Sequence, residues 1–190
     1  MGNQQHQDDS AVMGSTRHED LEKENGMFTV EGACWVFGDN VDTDQILPGY
    51  AMAEPAERLG SFAFAGSSVP DFAKRVKPGD IVVAGQNFGC GSSREQAPVA
   101  LLQAGVRLVI GASFARIFRR NAINIGLPVL VADIAGQVRS GEVLGVDIAR
   151  AQIRCDGKSF QGAPLSESSL TTLRAGGLIN RVRQELARRS

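Results

Sequence analysis

The run Gln86-Asn87-Phe88-Gly89-Cys90-Gly91-Ser92-Ser93-Arg94-Glu95 crowds chemistry-bearing groups into one loop. Two hydroxyls and a guanidinium follow a pair of glycines, between an apolar strand pattern at Ile81–Gly85 and a mostly apolar helix pattern at Ala97–Ala104. Strand, glycine loop and helix together suit dinucleotide binding, which needs G-x-G-x-x-G and an acidic residue about 20 positions on. Here Arg94 stands where the third glycine belongs, and no Asp or Glu occurs from Gln96 to Ala132. No Gly-Lys-Ser/Thr closes this loop either, so a phosphate-cradling Walker loop is excluded here. Anion capture at a helix N-terminus fits better. Glycines such as Gly91 let the backbone approach a ligand, and the first N–H groups of a helix attract negative charge. Arg94 can grip a carboxylate through two parallel hydrogen bonds. Arg107, Arg116, Arg119 and Arg120 add positive charge within the acid-free stretch. A small anionic substrate is one reading. A Gly/Ser loop that only caps a helix is the other, and the residues alone leave both open.

The remaining groups offer less. Cys34, Cys90 and Cys155 are odd in number and far apart, which is neither a disulfide framework nor a metal-ligand set. Cys34 and Cys155 read as buried free thiols. The formal net charge of −1 argues against bulk attraction to nucleic acid. Charge is nevertheless uneven: residues 1–26 hold six acids against Arg17 and Lys23, leaving 18 basic and 15 acidic residues beyond them. Hydrophobic residues at 43% and charged ones at 22% are ordinary for a globular domain. No apolar run of roughly 18 residues suggests a membrane span, and no secretory signal pattern opens the chain. A cytoplasmic protein is expected.

These groups must be positioned by a modest set of elements. Residues 1–26 are polar and aperiodic and read as a disordered extension, with the folded domain over 27–190. Glu31–Phe37 reads as a strand, Gly38–Tyr50 as a polar loop, and Glu54–Leu59 as a short helix. Residues 60–79 look irregular. Lys77-Pro78-Gly79-Asp80 forms a turn into Ile81–Gly85. Pro98 is tolerable in the first turn of Ala97–Ala104, and Gly105 closes that helix. Arg107–Gly111 reads as a buried strand, Ser113 as the cap of a helix over Phe114–Asn121, and Leu127–Ala132 as another strand. Gly145–Ala149 and Ala151–Cys155 read as β-structure, with Asp156-Gly157 as a hairpin turn. Gly177–Arg189 reads as an amphipathic helix with Leu178, Ile179, Val182 and Leu186 on one side. Its arginines suit the C-terminal dipole, and a solvated basic face is the simplest account of them.

Three motifs in order carry a resemblance over roughly residues 28–132. Gly38-Asp39-Asn40-Val41-Asp42-Thr43-Asp44-Gln45-Ile46-Leu47-Pro48 is the first, and Asn87-Phe88-Gly89-Cys90-Gly91-Ser92-Ser93-Arg94-Glu95 the second. The third is Ser113-Phe114-Ala115-Arg116-Ile117-Phe118 with Arg120-Asn121-Ala122-Ile123-Asn124-Ile125-Gly126-Leu127-Pro128. Together they resemble small subunits of isopropylmalate dehydratase, within the aconitase-like swivel-domain family. The resemblance implies an α/β fold, the swivelling β/β/α domain of aconitases. It also implies a separate large subunit that carries a 4Fe–4S iron–sulfur cluster, with no cofactor in this chain. The implied reaction moves a hydroxyl between adjacent carbons of a small dicarboxylic hydroxy acid, by dehydration and rehydration. A base removes a proton beside a carboxylate, and the cluster iron acts as Lewis acid. By the same resemblance Ser92 is that base, Ser93 and Arg94 hold a substrate carboxylate, and Asp44 assists at the active site. Asp44 also reads as a turn-forming carboxylate, and Arg116 and Asn121 as structural.

Two positions depart from the pattern. Many relatives have Tyr-Leu-Arg-Thr or Tyr-Leu-Asn-Thr where this chain has Tyr50-Ala51-Met52-Ala53. Met52 would touch the variable part of the substrate and cannot form a salt bridge. An alkyl group, as in isopropylmalate or dimethylmalate, is expected over a third carboxylate of the homoaconitate kind. Gln96 replaces a common histidine after Arg-Glu. The alternatives are a related dehydratase small subunit or a non-catalytic module that binds an anion or a protein.

Overall fold

The computed structural model describes residues 28–189; the expected extension 1–26 lies outside them. Seven strands form one mixed sheet in the order β4-β3-β2-β1-β5-β6-β7. They are β1 Thr29–Val36, β2 Ile81–Ala84, β3 Leu108–Gly111, β4 Val129–Val131, β5 Val143–Asp147, β6 Gln152–Cys155 and β7 Lys158–Gln161. β1 to β4 run parallel, with Cys34 opposite Ile81, Ile81 opposite Leu108, and Val109 opposite Val129. The other half is antiparallel, with Val30 opposite Val146, Val146 opposite Ile153, and Ile153 opposite Phe160.

Every residue of β2 and β3 is buried, as a parallel sheet covered on both faces requires. Alternate residues serve opposite cores. Val82, Ala84, Val109 and Val129 face a cluster with Phe37, Phe64, Phe72, Phe88 and Phe118. Ile81, Val83, Leu108, Ile110 and Leu130 face a second cluster with Leu144, Ile153, Leu165, Leu170 and Leu173. The first core is aromatic. Phe37 stacks on Phe64 at 4.1 Å, and Phe88 meets Phe118 edge-on at 5.1 Å. Such pairs add roughly 0.5–1.5 kcal/mol each beyond their buried area.

The helices are α1 Thr43–Ile46, α2 Phe72–Arg75, α3 Gln96–Ala104, α4 Arg116–Asn124, α5 Glu167–Arg174 and α6 Leu178–Ala187. Gly49–Ala53 and Ala56–Phe62 are 3-10 turns, so the short helix expected at Glu54–Leu59 is a 3-10 segment shifted later. Gly105 ends α3 in the left-handed region at φ 104°. Asp156 and Gly157 turn the β6–β7 hairpin with φ of 45° and 75°. Ser113 does not cap α4. Ala115 holds that position without a side-chain bond, and the Ser113 hydroxyl donates instead to Gln86 Oε1 at 2.8 Å. It is occupied by the loop it helps to hold. α5 is capped by Ser166, which accepts from Ser169 N at 3.2 Å. α6 is amphipathic as expected, yet none of its residues is buried.

Cys34 and Cys155 are buried free thiols, and Cys90 is half-buried. Burial, reinforced by Cys155 and Glu142, pushes the Cys34 thiol up to about 11. Burial and then the Glu142 carboxylate, which accepts from the Cys155 thiol, raise Cys155 as well. A raised thiol pKa lowers the reactive thiolate fraction, to about one in a thousand for Cys34 at pH 8. Iodoacetamide at that pH should therefore label Cys90 first, and Cys34 and Cys155 only after denaturation. Peptide mass spectrometry over a labelling time course checks this; early labelling of Cys34 would contradict it.

Candidate active site

The loops that follow β1, β2 and β3 meet at the C-terminal edge of the parallel strands, where open α/β sheets place ligands. Backbone bonds continue the strand pairing past the strand ends. Asn40 N donates to Gln86 O at 2.8 Å, Gly89 N to Val41 O at 2.7 Å, and Thr43 N to Cys90 O at 2.8 Å. Phe88 N donates to Ser113 O and Ala115 N to Phe88 O, tying the third loop to the second. Side chains lock the same seam. Asp39 Oδ1 accepts from Gln86 N at 2.7 Å, and Asn87 Nδ2 donates to Asn40 Oδ1 at 3.0 Å. Ser113 Oγ accepts from Asn87 N at 2.7 Å. Asn40 and Asn87 both hold left-handed backbone, a conformation that asparagine tolerates better than most residues.

Within this frame Gly89 and Gly91 are required. Gly89 has φ 77°, and a Cβ there would strike the Phe118 ring. Gly91 has φ 93° and passes close over Thr43, whose Oγ1 would lie 3.1 Å from an added Cβ. The turn brings Ser92 N within 3.1 Å of Thr43 Oγ1 and sets the Ser92 hydroxyl 3.3 Å from the same oxygen. Because Thr43 Oγ1 accepts from Ser92 N, its own proton is available to the Ser92 oxygen. The separation is long against the roughly 2.5–3.0 Å of a good O–H···O bond, as catalytic contacts often are without substrate. Thr43 is buried, whereas Ser92 and Ser93 are exposed. Neither serine caps α3, whose N-cap residue Glu95 makes no side-chain cap bond. The capping account of the loop therefore loses its mechanism. Among the described residues no carboxylate or imidazole hydrogen-bonds Ser92, and both histidines of the chain, His6 and His18, lie outside those residues.

Arg94 is fixed from the first loop. Its Nη1 donates to Asp44 Oδ1 at 2.7 Å and to Leu47 O at 3.0 Å. Its side chain is 16% exposed, against 65% for Asp44. Asp44 thus aims the guanidinium, and the other nitrogens stay uncommitted. Nη2 lies on the side of Gly49, 3.8 Å from where that residue's Cβ would be. Asp44 can sit there because Gly38–Tyr50 is more than a loop. Asp42 caps the one-turn helix α1, accepting from Gln45 N at 2.8 Å, while the Gln45 side chain accepts from Asp42 N. Tyr50 and Met52 follow on the adjoining 3-10 turn, 67% and 43% exposed.

The structure therefore brings together Ser92, Ser93, Arg94, Asp44 and Gly91, with Met52 on the adjoining turn. It does not gather the arginines of the acid-free stretch there. Arg107 borders a cavity with Phe28 and Gly126 instead, and Arg116, Arg119 and Arg120 line a groove between α4, α5 and α6. Sequence reasoning missed Thr43 as the hydroxyl under Ser92. Its only signal in the sequence was its place between Asp42 and Asp44 in the first motif.

A mixed sheet carrying a hydroxyl-and-guanidinium loop at its parallel edge defines the swivel-domain class. A family model for the aconitase C-terminal domain matches residues 36–133. The small subunit of methanogen homoaconitase from Methanothermobacter thermautotrophicus is 49% identical over 154 residues, covering 80% of this chain and 89% of that one. The small subunit of 3-isopropylmalate dehydratase from Methanosarcina acetivorans is 46% identical, covering 84% and 100%. The crystal structure of 3-isopropylmalate dehydratase from Methanocaldococcus jannaschii superposes with a TM-score of 0.81 at 38% identity, over 85% of this chain and 97% of that one. This chain belongs to the aconitase C-terminal domain family, among the dehydratase small subunits.

Proposed function

We propose that this chain is the small subunit of a two-subunit hydro-lyase that isomerises a 2-alkylmalate, 3-isopropylmalate to 2-isopropylmalate or the reverse, by dehydration and rehydration. The observation that carries the reading is the loop Gly89–Arg94, which presents Ser92 over a buried threonine hydroxyl beside a guanidinium already aimed by Asp44. In this reading a Ser92 alkoxide takes the proton next to a substrate carboxylate. The C–H electron pair becomes the double bond as hydroxide leaves the neighbouring carbon. The proton held by Ser92 and a hydroxide then add back with their positions exchanged, which regenerates the alkoxide. The net change is one water lost and one regained, so no oxidant or reductant is needed. Serine is a weak base in water. Its alkoxide would be stabilised here by the Thr43 hydroxyl, the loop N–H groups and the nearby guanidinium. Ser93 and Arg94 hold the carboxylate.

The three cysteines do not fit an iron–sulfur cluster. Two are buried, the third is half-buried, and among the described residues no three His, Cys, Asp or Glu side chains group as a metal site. We assign the 4Fe–4S cluster, which supplies the Lewis acid for the departing hydroxyl, to the large subunit. Among the described residues no helix is long and apolar enough to cross a membrane. The reading places the enzyme in the cytoplasm, with no nucleic-acid partner.

A homoaconitate-type substrate is the second reading, favoured by the similarity to the methanogen homoaconitase small subunit. The two part at Met52, whose exposed apolar side chain suits an alkyl substituent and offers a third carboxylate no charge. With the complex assembled anaerobically from this chain and its large subunit, 2-alkylmalates should turn over faster than homoaconitate-type tricarboxylates. Met52→Arg should shift the ratio towards the tricarboxylate by at least about tenfold, the scale of one charge-assisted contact. Equal use of both by the wild type would remove the alkyl reading. No turnover of either by the cluster-loaded complex would remove the hydro-lyase reading.

A further inference from the structure

Helix α6 is built inside out. Its least exposed residue is an arginine, and its apolar side chains face solvent. Arg181 Nη1 donates to Ser168 O, Ser168 Oγ and Thr172 Oγ1 on α5, at 3.1–3.2 Å, while Nε donates to Glu185 at 3.0 Å. Leu178, Ile179 and Val182 are 41%, 69% and 45% exposed. An apolar stripe turned outward on an element anchored by polar bonds marks a binding face.

What covers the stripe follows from its surroundings. Leu178 also borders a groove of about 490 Å³ between α4, α5 and α6, beside Arg116, Arg119 and Arg120. No carboxylate borders this groove. Those three arginines make no ion pair among the described residues. A second copy of the chain is a poor occupant. Face-to-face packing would set this arginine-lined, carboxylate-free groove against a second copy of itself, and like charges brought together out of water are strongly unfavourable. The occupant must pair apolar side chains with carboxylates.

The groove also adjoins the active face. α4 starts two residues beyond Phe114, whose ring meets Phe88 of the active loop edge-on at 6.0 Å. Ile117, in the first turn of α4, is 39% exposed. A large subunit that brings the Lewis acid to Ser92 and Arg94 must cover the edge where α4 begins, and Arg116 at that end of α4 lines the mouth of the groove. We infer that the stripe Leu178–Val182 and the groove of Arg116, Arg119 and Arg120 form the docking surface for an acid-bearing, apolar-centred face of the large subunit. The inference rests on the small-subunit reading above.

Binding of the purified chain to its large iron–sulfur subunit tests it, with association and dissociation rates measured anaerobically at several salt concentrations. Ile179→Asp and Val182→Asp should each weaken binding at least about tenfold, chiefly through faster dissociation, as loss of a buried apolar anchor does. Arg116→Glu combined with Arg120→Glu should slow association about tenfold at low salt and flatten its salt dependence. Ser92→Ala should bind like the wild type. All five positions are exposed, so the thermal midpoint of each isolated variant should equal that of the wild type. Wild-type affinity in the helix and groove variants would overturn the assignment. So would a lowered midpoint in Val182→Asp, which would show the stripe packed within its own chain. A self-dimer dispersed by Val182→Asp would equally overturn it. If the wild type and every variant alike fail to bind the large subunit, the small-subunit reading itself falls and the docking surface with it.

Discussion

Ser92→Ala should lower kcat of the assembled enzyme by about 10²–10⁴-fold, the usual cost of removing a positioned proton-transfer group, and leave KM nearly unchanged. The separation of the two constants comes from the geometry. Arg94 is held by Asp44 and Leu47 O and makes no side-chain bond to Ser92, so carboxylate binding survives the loss of the hydroxyl. The fold should survive as well. Ser92 is exposed, and its backbone N–H still reaches Thr43 Oγ1. The thermal midpoint should therefore stay within the error of measurement. Thr43→Val provides the matched comparison. It removes the hydroxyl under Ser92 but keeps the side-chain shape, so it should lower kcat less than Ser92→Ala, by about 10-fold. Some midpoint should be lost too, because Ser92 N loses its acceptor and Thr43 is buried. Steady-state kinetics and thermal melts on both variants decide the matter. A near-normal kcat in Ser92→Ala would take the base role away from this residue.

The parts legible in the sequence were those with a strong local signal. Strands β2 and β3 are short apolar runs between turn residues, and Gly105 and Asp156-Gly157 carry left-handed backbone that few residues adopt readily. The active loop was legible because glycines, hydroxyls and an arginine coincide in it. The segment after β1 read as a polar loop and its one-turn helix was missed, since its order is made by a reciprocal cap between Asp42 and Gln45 and by bonds to a loop more than forty residues away. Only the fold brings those partners together. Ser113 misled for the same reason. A serine before an apolar periodic stretch is a sound cap signal, yet its hydroxyl is taken by Gln86 and Asn87. α6 shows the opposite limit. Periodicity identifies the helix and its apolar side correctly, but amphipathicity cannot say whether that side faces the chain's own core or a partner.

The role of Asp44 is where the fold adds most, and it shapes the expected behaviour of Arg94. Arg94→Lys keeps the charge but loses the planar fork. The arginine meets Asp44 and Leu47 O through one nitrogen and keeps its remaining N–H groups for a carboxylate. A lysine ammonium has three donors on a single atom and cannot span both tasks. Arg94→Lys should raise KM by about 10–100-fold, the worth of one charge-assisted hydrogen bond or somewhat more, and lower kcat as well, because a poorly placed carboxylate misaligns the carbon facing Ser92. Asp44→Asn separates aiming from binding. The amide oxygen can still accept from Nη1, so the guanidinium keeps its place while its neighbouring negative charge is removed. If Asp44 acts only by positioning, Asp44→Asn should retain most of kcat and Asp44→Ala should resemble Arg94→Lys in its KM. The salt bridge is largely open to water on the Asp44 side, so neither change should shift the thermal midpoint by more than a few degrees. Should Asp44→Asn lose as much kcat as Ser92→Ala with KM intact, the carboxylate would be acting on the substrate itself, and the positioning role would have to be abandoned.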